Sequence, residues 1–368
     1  MPLPHRRMIR DWPGQLVLLG SGETSASGRR VFDWLFQQIP PPVRLAILET
    51  PAGFQPNSTL VARKVAEFIQ QRLANYVVET TIVPARKRDT PFTPDDPALA
   101  DQLLAADCLF LGPGSPTYAV RQLRESIVWD ALRARYASGA SLVLASAAVL
   151  AISAYTLPVY EIYKAGADLG WERGLDLLGD TGSTLVFVPH WNNREGGAEL
   201  DTSHCFVGPE RFAELRADLP PEATVVGIDE HTAFILDPAA GHGLVMGTGG
   251  VTIDQETGPA YFGHGSSIPL SDLGDLDWQG LARGLPAALV ERARALAQRR
   301  QRDERPIATV PDDILALVQR RETARQQRDW KAADGLRLVV ERRGYLVQDT
   351  PTGPRVQPVP PRSATSRP

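Results

Sequence analysis

The sequence has few of the residues that mark a disulfide-rich or metal-binding protein. Its 368 residues include two cysteines, Cys108 and Cys205, and six histidines, and these form neither a CxxC nor an HExxH spacing. We therefore expect no disulfide framework and no metal site. Nothing in the sequence requires another cofactor.

Long apolar runs are missing as well. No run approaches the roughly 18 residues of a membrane-spanning helix. The N-terminal stretch MPLPHRRMIRDWPGQ is basic but lacks the apolar segment of a secretory signal peptide. These absences predict a reduced, cytoplasmic protein that does not bind a membrane.

Charge is distributed unevenly along the chain. Residues 281–368 hold 18 Lys and Arg against 10 Asp and Glu, whereas residues 1–280 hold 21 against 33. Two regions of opposite charge indicate two different roles, and a basic appendage favours an acidic partner such as nucleic acid. Solvated helix faces produce the same charge pattern, so both interpretations stay open.

Short apolar runs alternate with helical patterns through the first part of the chain. Near-continuous apolar strands that alternate with helices are typical of a parallel sheet covered on both faces. We therefore predict an α/β fold, with a mostly parallel sheet flanked by helices and an antiparallel extension late in the domain. The predicted strands are residues 15–20, 43–49, 76–83, 108–111, 142–145, 184–188, 224–228, 232–236 and 244–246, and the predicted helices are 59–74, 97–106 and 117–137.

The composition changes after Trp278, where the chain becomes rich in Ala and Arg. We predict four segments: the α/β domain over 1–280, a helical linker over 281–310, a small helical hairpin module over 311–356 and a disordered, Pro-rich tail over 357–368. The expected apolar face of the first hairpin helix is Ile314, Leu315, Leu317 and Val318, and the expected core of the second is Trp330, Leu336, Val339 and Val340. Six arginines are expected to project outward, namely Arg320, Arg321, Arg325, Arg328, Arg342 and Arg343. Without an aromatic stacking platform beside them, sequence-specific reading of RNA is not expected.

The stretch LVLASAAVL places one serine, Ser146, between a predicted strand and a helical pattern. A nucleophile elbow has this strand-to-helix arrangement and requires small residues two positions before and after the serine. Leu144 and Ala148 occupy those positions, and Leu144 is large. The local pattern therefore leaves two interpretations of Ser146, a nucleophile or a packing residue.

Four segments, in order, resemble the dipeptidase E and cyanophycinase family of serine peptidases, over residues 14–255. They are CLFLGPGSPTYAVRQLRES, LVLASAAVLAIS, FVPHWNNREGG and VVGIDEHTAFILD. The resemblance implies a class I glutamine amidotransferase-like fold with Ser146 as nucleophile, His190 as base and Glu161 as the acidic member of the triad. It also implies that backbone N–H groups of Gly114 and Ala147 bind the oxyanion.

Several assignments within this resemblance have alternatives. Asp168 and Asp180 compete with Glu161 for the acidic position. Arg194 and Ser115 are assigned to substrate binding, although Arg194 is equally interpreted as a solvated loop residue. His204 and Arg211 are further candidates for the same pocket, whereas residues 227–230 are interpreted as a turn that links two strands.

The sequence departs from this family at two points. Both glycines of the elbow are absent, which leaves open whether the protein is catalytically active. Cyanophycinases resemble one another in an acidic-Gln-His run where this chain has Val188-Pro189-His190, so cyanophycin is not the expected substrate.

The C-terminal segment over residues 312–356 resembles the end of cysteinyl-tRNA synthetases. The resemblance rests on Arg328-Asp329-Trp330, Ala333-Asp334 and Asp349-Thr350-Pro351-Thr352-Gly353. It implies contact with tRNA or another RNA, and docking onto the acidic domain is the alternative. Because nothing resembles the catalytic domain or zinc ligands of a synthetase, aminoacylation is not expected.

The sequence thus predicts a serine hydrolase that cleaves a small amide or dipeptide through a Ser-His-Glu triad. The alternative is a catalytically silent homologue that binds a ligand or tRNA through its basic C-terminal module.

Overall fold

The computed structural model describes residues 12–303, 310–350 and 353–358. The chain divides into two compact units, the main unit Met1–Gln298 and the C-terminal unit Arg299–Pro368. No helix in these described ranges is long and apolar enough to cross a membrane.

The main unit alternates strands with helices over most of its length. Its strands are β1 Leu16–Leu19, β2 Val43–Leu48, β3 Val78–Val83, β4 Cys108–Leu111, β5 Ser141–Ala145, β6 Tyr155–Thr156, β7 Glu172–Arg173, β8 Leu185–Val188, β9 Thr224–Ile228, β10 Thr232–Asp237, β11 His242–Gly247, β12 Gly250–Gln255, β13 Gly258–Gly263 and β14 Ser267–Pro269. Its helices are α1 Ala26–Phe36, α2 Ser58–Arg72, α3 Pro97–Leu104, α4 Pro116–Leu123, α5 Ile127–Ala137, α6 Ala147–Ala151, α7 Val159–Tyr163 and α8 Pro209–Ala217, and α9 Ala287–Asp303 extends past its boundary.

Eight strands form the central sheet, in the order β14-β11-β10-β1-β5-β4-β2-β3. The neighbouring strands in the run β1-β5-β4-β2-β3 are parallel. On the other side of β1, strands β10, β11 and β14 extend the sheet with antiparallel pairs. Along β5, Leu142 and Leu144 pack into one core cluster while Val143 and Ala145 pack into another. Successive strand residues point to opposite faces, so both faces of the strand are buried. The predicted α/β fold with a mostly parallel sheet is confirmed.

A second sheet has the order β13-β12-β9-β8. Strands β8 and β9 are parallel neighbours, with Val188 opposite Gly227. Their carboxyl ends therefore lie side by side at one edge of this sheet.

The helical pattern predicted over residues 117–137 is divided into α4 and α5. The Ser126 hydroxyl accepts a hydrogen bond from the Trp129 N–H at 3.1 Å and caps a new helix. Glu125, just before it, has φ 57°, a left-handed conformation that cannot continue an α-helix. A continuous apolar pattern hides this break, because both helices present apolar faces to the same core.

The C-terminal unit contains helices α10 Asp312–Gln326 and α11 Trp330–Arg342, followed by an antiparallel hairpin of β15 Tyr345–Thr350 and β16 Gly353–Pro358. The helical hairpin is confirmed, and the β-hairpin was not predicted. Strand β16 reaches residue 358, so the predicted disordered tail is wrong for 357 and 358. Its remainder, 359–368, lies outside the described residues.

The core of the C-terminal unit differs from the prediction because the β-hairpin contributes to it. Ile314 and Val318 pack with Val340 and with Val347 from β15. Trp330 is 58% exposed, and Leu315 and Val339 are exposed as well. The prediction that Trp330 and Val339 belong to the core is therefore wrong.

Candidate active site

Ser146 lies at the turn between β5 and α6. Its backbone has φ 53° and ψ −115°, a conformation that non-glycine residues rarely adopt. The Ser146 N–H donates to the Leu19 carbonyl at 3.1 Å, and the Ser146 carbonyl accepts from the Val149 N–H at 2.9 Å. The sharp turn thus forms without the elbow glycines, with Leu144 and Ala148 both buried in the same core cluster.

His190 follows β8 in the second sheet and contacts this serine directly. The distance between Ser146 Oγ and His190 Nε2 is 2.8 Å. His190 also has a left-handed backbone, with φ 53°, and its N–H donates to the Gly20 carbonyl at 3.3 Å. The structure therefore brings together two of the predicted site residues, which are 44 positions apart in sequence.

The carboxylate beside His190 belongs to Glu230, which follows β9. Glu230 Oε1 lies 2.8 Å from His190 Nδ1 and accepts from Asn193 Nδ2 at 2.9 Å. The Glu230 N–H donates to the side-chain oxygen of Asn192 at 2.8 Å. The residue that orients the imidazole is thus held by the loop that follows His190.

Local hydrogen bonds favour the ionised form of Glu230. The hydrogen bond to His190 is the main reason that the pKa of Glu230 lies below its ordinary value, and Asn193 adds to this effect while burial opposes it. Burial instead raises the pKa of the neighbouring Asp229, whose carboxylate accepts from the Gly250 N–H at 2.8 Å. The pKa values of the two adjacent carboxyl groups are therefore shifted in opposite directions, and of the two only Glu230 contacts the imidazole.

Glu161 does not occupy the position that the resemblance implied. Its Oε1 accepts from Thr117 Oγ1 at 2.6 Å, and Thr117 Oγ1 lies 3.1 Å from Ser115 Oγ. Asp180 contacts Arg133 at 2.5 Å, and Asp168 is exposed. The assignment of Glu161 as the partner of His190 is corrected to Glu230, because β9 and β8 are parallel neighbours that end at the same edge.

One pattern in the sequence points to Glu230, but only when the two strands that carry it are known to pair. Two apolar strands, LVFV and TVVGI, each end in a polar run, and one of these runs holds His190 while the other holds Asp229 and Glu230. If the two strands are parallel neighbours, their carboxyl ends place an imidazole beside a carboxylate. Residues 227–230 lead into the turn between β9 and β10, as expected, but Glu230 among them also contacts His190.

The loop of Gly112–Ser115 lies between β4 and α4. The Ser115 N–H donates to the Pro51 carbonyl at 2.9 Å, and a Cβ on Gly114 would lie 1.8 Å from that carbonyl oxygen. Only glycine fits this close approach. Ala147 is the first residue of α6, and the first N–H groups of a helix have no acceptor within the helix.

Aromatic rings form one side of the site. Phe206 lies 5.5 Å from His190 between ring centroids, and Tyr163 lies 5.6 Å from Phe206. His204 stacks on Phe212 at 4.9 Å, and burial lowers its pKa. Tyr163 is 41% exposed, so this aromatic side reaches the surface.

The other predicted pocket residues are less closely held. Arg194 and Arg211 are exposed, whereas Ser115 is buried beside Thr117. Within the described ranges, no three His, Cys, Asp or Glu side chains are arranged to hold a metal ion.

A comparison with solved structures identifies the fold of the main unit. A crystal structure of a peptidase from an acI-B1 Actinobacterium aligns with a TM-score of 0.56 at 22% identity, covering 70% of this chain and 98% of that one. The main unit has the fold of a peptidase. The predicted resemblance is thereby confirmed at the level of the fold.

The C-terminal unit is similar to a different family. Residues 308–356 match the cysteinyl-tRNA ligase anticodon binding domain. The cysteine–tRNA ligase of Methanosarcina mazei is 44% identical over 48 residues, and that of Chlamydia felis is 42% identical over 48 residues. Each match covers 13% of this chain and 10% of the ligase, so the chain spans about a tenth of these relatives.

The arginines of this unit are less available than predicted. Arg321 is 3% exposed and bonds both carboxylate oxygens of Asp349, at 2.7 and 2.9 Å. Arg325 bonds the same carboxylate, and Arg343 bonds Asp313 at 2.5 Å. The expectation that all six arginines project outward is therefore wrong for Arg321, which is buried. Arg325 is half-buried, and Arg343 stays exposed although it pairs with Asp313. The other three, Arg320, Arg328 and Arg342, are exposed.

Proposed function

We propose that the main unit is a serine hydrolase that cleaves a small amide or a dipeptide. The observation that carries the proposal is the continuous hydrogen-bond chain from Ser146 through His190 to Glu230. A hydroxyl, an imidazole and a carboxylate in this order are what nucleophilic attack by serine requires. The peptidase fold of the main unit supports the same class of reaction.

Each member of the triad has a defined chemical role in this proposal. Ser146 Oγ attacks the amide carbonyl carbon while His190 Nε2 takes the hydroxyl proton. Glu230 accepts a hydrogen bond from Nδ1–H and stabilises the imidazolium that forms. His190 then gives its proton to the leaving amine as the C–N bond breaks. A water molecule, deprotonated by His190, hydrolyses the remaining ester and restores Ser146.

The oxyanion of the tetrahedral intermediate requires N–H donors, and we assign this role to Gly114 and Ala147. Ala147 follows the nucleophile directly, as the usual elbow arrangement requires. Gly114 belongs to a loop that Pro51 and the Ser115–Thr117–Glu161 hydrogen bonds hold in place. Glu161 therefore acts on the reaction as a positioning residue in this account.

Labelling with a fluorophosphonate tests the proposal. The full chain is expected to form an adduct on Ser146, identified by mass spectrometry of the labelled peptide, and Ser146→Ala is expected to remain unlabelled. If the unmodified chain does not react, or reacts equally as Ser146→Ala, the hydrolase proposal is wrong and a catalytically silent homologue is the better description.

A second candidate function, RNA binding, is favoured by one feature of the C-terminal unit. Trp330 is 58% exposed and lies next to Lys331 and two residues after Arg328, both of which are exposed. An exposed aromatic ring beside cations stacks on unpaired bases. Trp330 therefore offers the stacking surface that the sequence, with Trp330 expected in the core, does not predict. The match to an anticodon-binding domain supports tRNA as the RNA class.

Fluorescence anisotropy of the full chain with a labelled anticodon stem-loop tests this second function. We expect Kd to rise with salt because phosphate contacts release counterions. Trp330→Ala is expected to weaken binding by about 1–3 kcal/mol. Leu338→Ala, which removes another exposed apolar side chain of α11, serves as the control and is expected to bind normally. A Kd that is insensitive to salt, or equal for both variants, would contradict RNA binding through this face.

A further inference from the structure

A cleft of about 480 Å³ lies at the end of α4 that is opposite Ser115. It is bounded by the loop that follows β3, the end of α4 with the turn after it, and strand β7. The charged residues that line it are Arg88, Arg121, Arg124, Arg173, Glu125 and Glu172. We refer to it as the arginine cleft.

Backbone carbonyl groups orient two of these guanidinium groups. Arg124 Nη2 donates to the carbonyl oxygens of Arg173, at 2.7 Å, and Gly174, at 2.9 Å. Arg88 Nε donates to the Gln122 carbonyl at 3.1 Å, and its Nη2 donates to the Arg124 carbonyl. Each guanidinium carries five N–H donors, so these bonds hold the group in place and leave other donors for a ligand.

The carbonyl groups do not neutralise the arginines that they orient. Other arginines of the main unit that cross between elements pair closely with carboxylates, for example Arg44 with Asp107 at 2.9 Å and Arg292 with Asp101 at 2.6 Å. In the arginine cleft the corresponding pair is Arg88–Asp95 at 3.9 Å.

For the other three arginines of the cleft, the described part of the chain provides no carboxylate oxygen within 4.0 Å. Four arginines and two glutamates give the lining a net charge of +2. Asp176 acts on Arg124 and Arg173 from a greater distance, and burial raises its pKa. Like charges gathered in one cleft repel each other unless an anion joins them.

We propose that the arginine cleft binds a small ligand that carries two or more phosphate or carboxylate groups. The planar guanidinium group bonds both kinds of anion in bidentate fashion. The N–H donors of four guanidinium groups outnumber the roughly four acceptor sites of a single carboxylate, which favours a ligand with more than one carboxylate or with phosphate oxygens. The volume falls within the range of small-molecule sites, about 300–1,000 Å³. This site is separate from the triad and does not depend on the hydrolase proposal.

Isothermal titration of the full chain with inorganic pyrophosphate and, separately, with citrate tests the inference. The unmodified chain is expected to bind at least one of them saturably, with one ligand per chain. The two titrations distinguish a phosphate ligand from a carboxylate ligand. Both titrations are repeated at about 50 mM and about 300 mM salt. Binding is expected to be weaker at the higher salt concentration but not abolished, because salt screens charges in a cleft less than charges on open surface.

The double variant Arg121→Gln, Arg173→Gln identifies the site. It removes two positive charges while leaving the guanidinium-to-carbonyl bonds of Arg88 and Arg124 in place, and we expect binding to weaken about ten-fold or more. Arg63→Gln with Lys64→Gln removes the same charge from exposed positions of α2 and is the matched control. If the double variant unfolds at a lower temperature than the control, Arg121→Gln alone replaces it. Equal weakening in the control, unchanged binding in the cleft variant, or no saturable binding of either anion would overturn the proposal.

Discussion

Ser146 and His190 share a positive φ, which is unfavourable for residues with a side chain. Both have φ 53°, and both are half-buried at the point where two sheets approach each other. A left-handed non-glycine residue costs about 1–3 kcal/mol, which the surrounding structure must offset. The hydrogen bonds from Ser146 N–H to Leu19 and from His190 N–H to Gly20 hold these conformations. The strain is local to the two residues whose side chains meet.

This strain predicts an unusual effect of glycine at position 146. At an ordinary helix or strand position, a protein with glycine is less stable than the same protein with alanine by about 0.5–1 kcal/mol. Because φ here is positive, we expect Ser146→Gly to have the higher free energy of unfolding, by about 1 kcal/mol relative to Ser146→Ala. Urea unfolding of both variants measures the difference. A more stable alanine variant would show that the turn is not strained.

The lowered pKa of Glu230 predicts how stability depends on pH. A carboxyl group whose folded pKa is below its unfolded value stabilises the protein above the unfolded value, here 4.5. That contribution is lost as the pH falls through the lower folded pKa. We therefore expect the stability difference between the unmodified chain and Glu230→Gln to be constant above about pH 5.5 and to shrink below it. A difference that grew on acidification would contradict the hydrogen bond to His190 as the cause.

At the scale of elements, the site is assembled from the carboxyl ends of strands in two sheets. Strand β5 of the central sheet delivers Ser146, and the parallel pair β8 and β9 delivers His190 and Glu230. Ligand sites in parallel sheets form at such ends. The loop after β4, which holds Gly114, completes this arrangement.

The close approach of Gly114 to Pro51 predicts that Gly114→Ala displaces the loop. A Cβ 1.8 Å from the Pro51 oxygen cannot be accommodated without a backbone shift. If the Gly114 N–H binds the oxyanion, fluorophosphonate labelling should slow by about 10²–10³-fold. Gly170→Ala is the control, because a Cβ there meets no atom within 4 Å. Normal labelling of a folded Gly114→Ala protein would exclude this loop from the oxyanion site.

The elements of the main unit could be predicted from sequence because local patterns determine them. Each of the runs around β1, β2, β4 and β5 is apolar on both faces, which is typical of a buried parallel strand. The pairing of β8 with β9 in a separate sheet is not a local property, and without it Glu230 could not be distinguished from a turn residue. The same limit applies to the core of the C-terminal unit, which includes Val347 from a β-hairpin that lies further along the chain.

At the scale of the whole molecule, the charge asymmetry of the sequence is partly compensated within the C-terminal unit. Asp349 joins Arg321 and Arg325, and Arg321 is almost fully buried. The hydrogen bonds from Arg321 are the main reason that the pKa of Asp349 lies below its ordinary value. A count of basic residues therefore overstates the charge that is available to a partner.

We expect Asp349→Asn to destabilise the C-terminal unit by about 1.5–3 kcal/mol, because it removes the bidentate one of the two carboxylates that face the buried Arg321, the other being Glu322. Asp313→Asn breaks the Arg343 pair, whose side chains are 59% and 56% exposed, and is expected to cost less than about 1 kcal/mol. Hydrogen exchange of the β15 amides in the full chain measures the destabilisation that each of the two variants causes. Equal effects would mean that Arg321 is not stabilised by Asp349.

In the proposed hydrolase, Glu230 rather than Glu161 completes a catalytic triad with Ser146 and His190. The second-order rate of fluorophosphonate labelling in Glu230→Gln and Glu161→Gln tests it most directly. We predict that Glu230→Gln slows labelling by about 10³–10⁴-fold, as expected when the imidazole loses the carboxylate that sets its tautomer. Glu161→Gln keeps an oxygen that accepts from Thr117 and should stay within about ten-fold of the unmodified chain. Normal labelling of Glu230→Gln, or a larger loss in Glu161→Gln, would contradict the account.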